Sequence, residues 1–448
     1  MKAKQFFHLA LIFILVSCSF NPNENYSTIE GQLPKLASKD ISFGFKDSLV
    51  KTAVNSDGYF HFNIPLKTYQ YVYSKELNRK LFFLPNDSLH INGTTDKYIF
   101  NGGQSALINN YYTNWKEYLH TVADTANSKK YYSQKPYDFL KSVDSWIKVW
   151  LKPLVELQTS YPNLNPDFIS FEKLRIKYWM YSDLNDYKSL DIPADFYKYL
   201  ESVSFNEPTL LQLDEYKYFL SSYVFMRTRN LETLDKLQIT SKMLDVIEET
   251  FYNERVKNEV SKEVIRIQTN RLAINDTLLK RFKNICKNDL YISKIENEYQ
   301  TLKHLLKGTK APEFELIDLD GSKAYLNDFK GKYLLIDVWS TTCTPCIREF
   351  PYLEKLRNEF ENRDLKIITA CLSNETAWKR ALTKYGLKHD QFRIENGWSS
   401  SFKDDYIKSS GVPLYILIDP NGFLIDARAP KPSENLKELI YSLDGIKN

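Results

Sequence analysis

The order of apolar and polar residues divides the chain into stretches of different period. Between residues 28 and 103, short segments alternate apolar and polar positions, and turn residues such as Asp57-Gly58 separate them. A period of two is that of a strand with one face in a core and the other in solvent. We therefore predict a small antiparallel β-sandwich over residues 28–103.

The middle of the chain, residues 104–305, repeats apolar residues every three or four positions, which is the period of a helix. Prolines stand between these periodic segments, where helices are expected to end. We predict an all-α middle domain whose many aromatic residues form core stripes. A groove for a peptide or partner is left open as an alternative.

Residues 306–448 alternate apolar runs with helical stripes, which predicts an α/β domain. The apolar run at residues 334–338, broken by Asp337, indicates a covered central strand. Further elements are predicted as a strand at residues 365–372, a helix at residues 375–385 and a closing helix at residues 435–443. The whole chain is therefore predicted to be multidomain: a β-sandwich-like module, an all-α domain and an α/β domain.

Two cysteines lie between the central strand and the helix that follows it. The pair Cys343 and Cys346 opens this helix, whose free N–H groups and dipole favour an anion. We expect Cys343, at the exposed end of the turn, to be the attacking thiolate and Cys346 to be the resolving thiol of disulfide exchange. The helix itself is indicated by apolar residues at helical spacing, namely Ile347, Phe350, Leu353, Leu356 and Phe360.

Two other interpretations of this cysteine pair are weaker. Zinc would require two further Cys or His ligands at suitable spacing, whereas His389 and Cys371 are isolated in the sequence. A structural disulfide usually joins distant segments, and Cys343 and Cys346 are near neighbours. We therefore predict a redox-active disulfide between them, with no metal and no cofactor beyond the cysteines themselves.

Several motifs in this part of the chain resemble the thioredoxin-like family, and within it the TlpA/ResA branch. They lie at residues 311–314, 319–321, 329–332, 343–351, 411–413 and 417–422. The resemblance implies a thioredoxin-like fold for residues 306–448 and a thiol–disulfide oxidoreductase activity. Thr342 departs from the branch, because many members have a second tryptophan there.

The resemblance also implies roles for residues around the cysteines. Asp337 and Trp339 stand where thioredoxins have a buried aspartate and a tryptophan. Burial raises the pKa of a carboxyl group, so Asp337 is a candidate proton acceptor for Cys346, and Trp339 is expected to pack beside the active-site loop. Glu349 matches a glutamate near the disulfide in the ResA-like branch, and a solvated helix position is an equal alternative.

Two prolines complete the predicted site. Pro345 fits the first turn of the helix, where its missing N–H costs nothing. Pro413 matches the loop that carries a cis-proline opposite the disulfide in this family. A cis bond would place the Val412 backbone beside the sulfurs, free to pair with a substrate strand; an ordinary trans turn proline is the alternative.

The beginning of the chain carries signals for export. Lys2 and Lys4 precede an apolar stretch at residues 6–16 that is too short for an ordinary membrane span. Residues 15–18 resemble a bacterial lipobox; a secretory signal with an incidental cysteine is the alternative. The resemblance implies a signal peptide over residues 1–17, a lipid anchor on Cys18 and a tether over residues 18–27. We therefore expect a membrane-anchored lipoprotein of the cell envelope or periplasm.

The turn pattern of residues 28–103 also resembles an N-terminal module that is common before TlpA-like domains in Bacteroidetes lipoproteins. Cys286 and Cys371 are far apart in the sequence, and we interpret them as buried free thiols. The formal net charge of +4 on 448 residues is too small to indicate a nucleic-acid partner.

The resemblance implies exchange with protein disulfides, usually in the reductive direction, including the reduction of apocytochrome cysteines in cytochrome c maturation. That direction would need a membrane electron donor. A lipoprotein binding module with a secondary redox domain is the alternative, and it would keep full biological activity after Cys343→Ala. A peroxiredoxin-type peroxidase is disfavoured, because Ile336 stands where its motif requires proline.

Overall fold

The computed structural model describes residues 26–446 apart from a set of short gaps, at residues 38, 45–48, 67, 95–96, 123–130, 186, 188–192, 194–195, 201–202, 230, 232–233, 389 and 409. The predicted signal peptide at residues 1–17, the anchor at Cys18 and most of the predicted tether lie outside the described residues. The chain divides into two compact units, Met1–Met180 and Tyr181–Asn448.

The first unit begins with two four-stranded sheets. Their strands are β1 (Tyr26–Gln32), β2 (Asp40–Gly44), β3 (Leu49–Ala53), β4 (Tyr59–Pro65), β5 (Gln70–Ser74), β6 (Arg79–Phe83), β7 (Ser88–Thr94) and β8 (Lys97–Gly102). The strand orders are β4-β1-β7-β8 and β3-β2-β5-β6, and both sheets contribute to one apolar core. The predicted N-terminal β module is therefore confirmed, and β1 starts inside the stretch predicted as a tether.

One strand pairing differs from the predicted antiparallel arrangement. β1 pairs parallel to β7, with Ile29 opposite Leu89. β7 enters this sheet after β6 of the other sheet, so no tight hairpin fixes its direction relative to β1. The sheet is therefore mixed.

Among the described residues, the sheets are followed by the helices α1 (Gln104–Val122), α2 (Pro136–Ser160) and α3 (Pro166–Ser182). Glu172 of α3 is buried, accepts hydrogen bonds from the hydroxyls of Tyr111 and Tyr112 of α1, and pairs with Arg175 at 2.7 Å. Because every oxygen of this buried carboxylate has a donor, these hydrogen bonds join α1 to α3 and offset part of the desolvation cost of the buried charges.

In the described part of the second unit, five helices precede the sheet, and each has the helical period of apolar residues that the sequence predicts. They are α4 (Asp214–Thr228), α5 (Lys236–Thr250), α6 (Glu254–Asn270), α7 (Asp276–Ile285) and α8 (Asp289–Leu302). Each of the last four helices is capped at its N-terminus by a side chain that accepts a hydrogen bond from a backbone N–H of the first turn. The capping residues are Asp235, Asn253, Asn275 and Asn288. The helices of the predicted middle domain are thus shared between the two units, and the predicted domain boundaries stay a prediction.

A seven-stranded sheet forms the rest of the second unit. Its strands are β9 (Glu315–Ile317), β10 (Lys323–Tyr325), β11 (Tyr333–Trp339), β12 (Leu365–Cys371), β13 (Gln391–Ile394), β14 (Leu414–Ile418) and β15 (Leu424–Ala429). The order is β10-β9-β13-β12-β11-β14-β15. The accompanying helices are α9 (Thr344–Phe360), α10 (Glu375–Tyr385) and α11 (Leu436–Tyr441).

The central strand β11 is covered on both faces, as its apolar sequence predicts. Leu334 and Ile336 point into one core, whereas Leu335 points into another that contains Leu353 and Leu356 of α9. The helix predicted at residues 375–385 is confirmed with the same bounds, and the closing helix is shorter than predicted. In the part of the chain that the structure describes, no helix is both long and apolar enough to cross a membrane.

The buried ion pair of α3 generates a prediction for stability. We expect Glu172→Gln to lower the free energy of unfolding by about 3–5 kcal/mol, because the buried Arg175 charge loses its carboxylate. Urea unfolding followed by tryptophan fluorescence measures this change. The double substitution Glu172→Met with Arg175→Met removes both charges and should be the less damaging variant; the opposite ranking would contradict this account.

Candidate active site

The disulfide forms at the start of α9. Cys343 and Cys346 are bonded, with Cα atoms 5.3 Å apart. Cys343 is the N-cap residue, and its sulfur accepts the backbone N–H of Cys346 at 3.1 Å. Pro345 lies in the first turn, where the sequence places it. The helix N-terminus therefore already directs an N–H group at the sulfur that would carry negative charge.

The two cysteines differ in exposure to solvent. The exposed fraction of Cys343 is 8 %, and Cys346 has none. Cys343 is thus the more accessible cysteine, as predicted, although it is far more enclosed than an exposed loop end. Attack by an outside thiol or disulfide is consequently directed to Cys343.

The loop before the cysteines is held by a residue that the sequence did not single out. Ser373, just after β12, accepts the backbone N–H of Thr341 at 3.0 Å, and the two hydroxyl oxygens are also 3.0 Å apart. The backbone N–H of Ser373 donates to the Cys371 sulfur at 3.5 Å. A serine in a turn has no distinctive sequence signal, so only the fold reveals this contact.

An apolar cluster surrounds the disulfide. Trp339 is fully buried, and its ring meets that of Phe350 edge-on with centroids 5.1 Å apart. The Val412–Pro413 peptide bond is cis, and Val412 packs against the same cluster. Trp339 therefore packs where the sequence predicts. The other buried members of the cluster are Cys343, Cys346, Cys371, Trp378, Ala381 and Leu382.

Asp337 lies on β11 with an exposed fraction of 1 %. Burial raises the pKa of its carboxyl group to about 7, and the charge of Glu349 adds to this. The Tyr415 hydroxyl and the Arg357 guanidinium act in the opposite direction. A carboxyl group that changes protonation near neutral pH can take up and release a proton during exchange.

Glu349 is neither solvated nor free. It is nearly buried on α9, and its carboxylate accepts the backbone N–H of Ser433 at 3.0 Å and the Ser433 hydroxyl at 2.8 Å. The solvated interpretation is therefore wrong, because the segment before α11 folds over this helix. Ser433 lies 84 residues away along the chain, so this contact could not be predicted from local sequence.

The two free cysteines of the described chain are both buried. Burial raises the pKa of the Cys371 thiol to about 11 and raises that of Cys286 as well. Neither thiol is therefore a good nucleophile. Among the described residues, no group of three or more His, Cys, Asp or Glu side chains could hold a metal ion.

These features define the class of protein. A disulfide at a helix N-terminus, on a sheet with a cis-proline loop beside it, is the site of a thioredoxin-like thiol–disulfide oxidoreductase. The protein-family model described as Redoxin matches residues 306–440.

Comparison with individual proteins places the chain more narrowly. It is 34% identical over 142 residues to the thiol-disulfide oxidoreductase ResA of Bacillus thuringiensis subsp. konkukian, covering 30% of this chain and 78% of that protein. It is 29% identical over 120 residues to ResA of Bacillus subtilis, covering 27% of this chain and 65% of that protein. The chain belongs to the ResA family of thiol-disulfide oxidoreductases through its C-terminal domain.

A solved structure is also similar to this part of the chain. It is the thioredoxin domain of a thiol-disulfide oxidoreductase from Bacteroides vulgatus, 31% identical, with a TM-score of 0.28. The match covers 30% of this chain and 96% of that one.

The raised pKa of Asp337 generates a prediction for stability. In the folded chain this carboxyl keeps its proton up to about pH 7, whereas an unfolded aspartate loses it near pH 4. Stability therefore falls as pH rises through this window. We expect Asp337→Asn to be more stable than wild type by on the order of 4 kcal/mol at pH 8, with the difference vanishing below about pH 4.

Denaturant unfolding at a series of pH values measures this difference. Asp320→Asn is the matched control, because Asp320 lies exposed in the turn between β9 and β10. The control should follow wild type at every pH. An Asp337→Asn protein that is less stable than wild type at pH 8 would contradict the cost assigned to the buried carboxylate.

Proposed function

We propose that this oxidoreductase reduces disulfides of other proteins in the cell envelope. The observation that carries the proposal is the unequal exposure of the two cysteines. Cys343 retains a small exposed surface at the helix N-terminus, whereas Cys346 is fully buried. In a pair arranged in this way, the exposed cysteine forms the mixed disulfide with the substrate, and the buried cysteine then resolves it.

In the first step, the Cys343 thiolate attacks one sulfur of a substrate disulfide. A bond forms between Cys343 and that sulfur, and the second substrate sulfur leaves as a thiolate that takes a proton from water. The N–H of Cys346 stabilises the Cys343 thiolate before attack, as it already donates to this sulfur in the disulfide.

In the second step, Cys346 attacks Cys343 and releases the substrate. The Cys346 thiol must first lose its proton, and Asp337 is the proposed acceptor because its pKa of about 7 is close to neutral pH. The bond between Cys343 and the substrate breaks as the Cys343–Cys346 bond forms. Two electrons pass from the enzyme dithiol to the substrate, which leaves as a second thiolate.

Substrate binding is assigned to the loop opposite the sulfurs. The cis bond at Pro413 accompanies a partly buried Val412 that packs beside the disulfide. We propose that the Val412 backbone pairs with an extended segment of the substrate, as strand addition allows. A protein disulfide in a flexible segment fits this mode.

The reductive direction and the location are parts of the same proposal. Reduction consumes the enzyme dithiol, so a membrane electron donor must restore it. Export and a lipid anchor at Cys18 are supported by Lys2, Lys4 and the apolar stretch at residues 6–16. In a bacterial host fed labelled palmitate, the wild-type chain should take up label and Cys18→Ala should not; equal labelling would contradict the anchor.

Unequal access predicts unequal trapping of a mixed disulfide. Reduced Cys346→Ser protein treated with oxidised glutathione should retain one glutathione on Cys343, because the resolving thiol is missing. Cys343→Ser should react at least roughly tenfold more slowly, since Cys346 is buried. Intact-mass spectrometry counts the adducts, and peptide mapping identifies the modified cysteine.

Cys371→Ser is the matched control for this experiment. It removes a thiol from the same apolar cluster without touching the exchanging pair, and it should behave as wild type. Preferential trapping on Cys346 would contradict the proposed roles. Absence of any adduct in all variants would contradict exchange activity itself.

A further inference from the structure

A tyrosine on β14 lies directly across from the buried aspartate. Tyr415 is the cross-strand partner of Asp337 in the antiparallel pair β11–β14, so both side chains point to the same face of the sheet. That face is covered by α9, and Tyr415 packs in the same core as Leu335 and Leu353. The exposed fraction of Tyr415 is 2 %.

Neither group has a hydrogen bond of normal geometry. Both carboxylate oxygens of Asp337 and the hydroxyl of Tyr415 are buried without a partner within the described chain. Most buried polar atoms are hydrogen-bonded, so three such atoms facing one another need an explanation. The Tyr415 hydroxyl is nevertheless close enough to lower the pKa of Asp337.

The surroundings explain why this contact is sensitive to charge. The charges of Glu349 and Arg357 of α9 act on the pKa of Asp337, and the charge of Asp337 acts in turn on the Cys371 thiol of β12. Burial raises the pKa of Tyr415 far above its usual range, and the carboxylates of Asp337, Glu349 and Glu434 raise it further. Tyr415 therefore keeps its proton and acts as a hydrogen-bond donor, not as an acid.

We propose that Tyr415 is a positioning residue for disulfide exchange, whose hydroxyl donates a hydrogen bond to Asp337 whenever that carboxylate is ionised. The inference rests on the proposed function, in which Asp337 accepts the proton of Cys346. With Asp337 protonated, as burial favours in the disulfide form, the hydroxyl has no charge to bind. With Asp337 ionised, the same hydroxyl becomes its donor.

The proton balance of the resolving step follows from this contact. Ionised Asp337, held by the Tyr415 hydroxyl, takes the proton from the Cys346 thiol. The Cys346 sulfur then bonds to Cys343, and the substrate thiolate leaves. Protonated Asp337 releases the hydrogen bond and later returns its proton to solvent. Tyr415 forms and breaks no covalent bond in this sequence.

Removing the hydroxyl tests the proposal. Because a donor stabilises the ionised carboxylate, Tyr415→Phe should raise the pKa of Asp337 by about one pH unit or more, the size expected for a lost hydrogen bond to a charged group. Carbon-13 NMR of the full chain, labelled at aspartate carboxyl carbons, follows this titration. The resonance that disappears in Asp337→Asn identifies the residue.

Exchange kinetics supply a second readout. The pH profile for oxidation of the reduced protein by oxidised glutathione should move upward by the same amount, with a roughly fivefold slower rate at pH 7. Tyr406→Phe is the matched control: its buried hydroxyl lies in the same domain and donates to the carbonyl of Pro312, away from Asp337. Its titration and its pH profile should match wild type.

A second variant tests the direction in which the pKa of Asp337 shifts. Glu349→Gln removes a charge that raises the pKa of Asp337, so this titration should move downward, opposite to Tyr415→Phe. An unchanged Asp337 titration in a folded Tyr415→Phe protein would overturn the role of Tyr415. Loss of exchange with glutathione in wild type would instead overturn the proposed function, whatever the NMR titration shows.

Discussion

The position of the disulfide at the N-terminus of α9 is the constraint on which the rest of this site depends. Cys343 caps the helix and accepts the N–H of Cys346, so the reactive sulfur is bound to the same turn that stabilises its charge. β11 fixes the position of that turn from one side, and the contact between Thr341 and Ser373 fixes it from another. As a result, Cys343 keeps a small exposed surface, whereas Cys346 is fully buried.

Two carboxyl groups, those of Asp337 and Glu349, are buried in this domain, where protein cores usually contain apolar side chains. A buried carboxyl group such as Asp337 costs folding free energy once it ionises, and well-packed apolar side chains would be more stable in its place. Glu349 adds a second carboxylate, held by Ser433 rather than by a cation. Buried ionisable groups with a shifted pKa, such as Asp337, are characteristic of sites that move protons.

Much of the C-terminal domain could be predicted because its signals are local. The period change after Cys346 located α9, and the alternation of strands and helices located β12 and α10 with nearly the observed bounds. Contacts between distant segments could not be predicted. The parallel pairing of β1 with β7 and the hydrogen bond between Glu349 and Ser433 join segments that are distant in the sequence, so they depend on the tertiary fold. The contact of Ser373 and the proposed role of Tyr415 could not be predicted for the same reason. Serine and tyrosine have no distinctive sequence signal, and only the fold shows which residue lies opposite each of them.

The reduction potential of the Cys343–Cys346 couple tests the central claim most directly. It can be measured on the full chain by equilibration with glutathione or dithiothreitol buffers. A protein disulfide reductase should have a value near that of thioredoxin, about −270 mV. A value near that of strong oxidants, about −120 mV, would contradict the reductive account, because such a pair donates disulfides to its substrates.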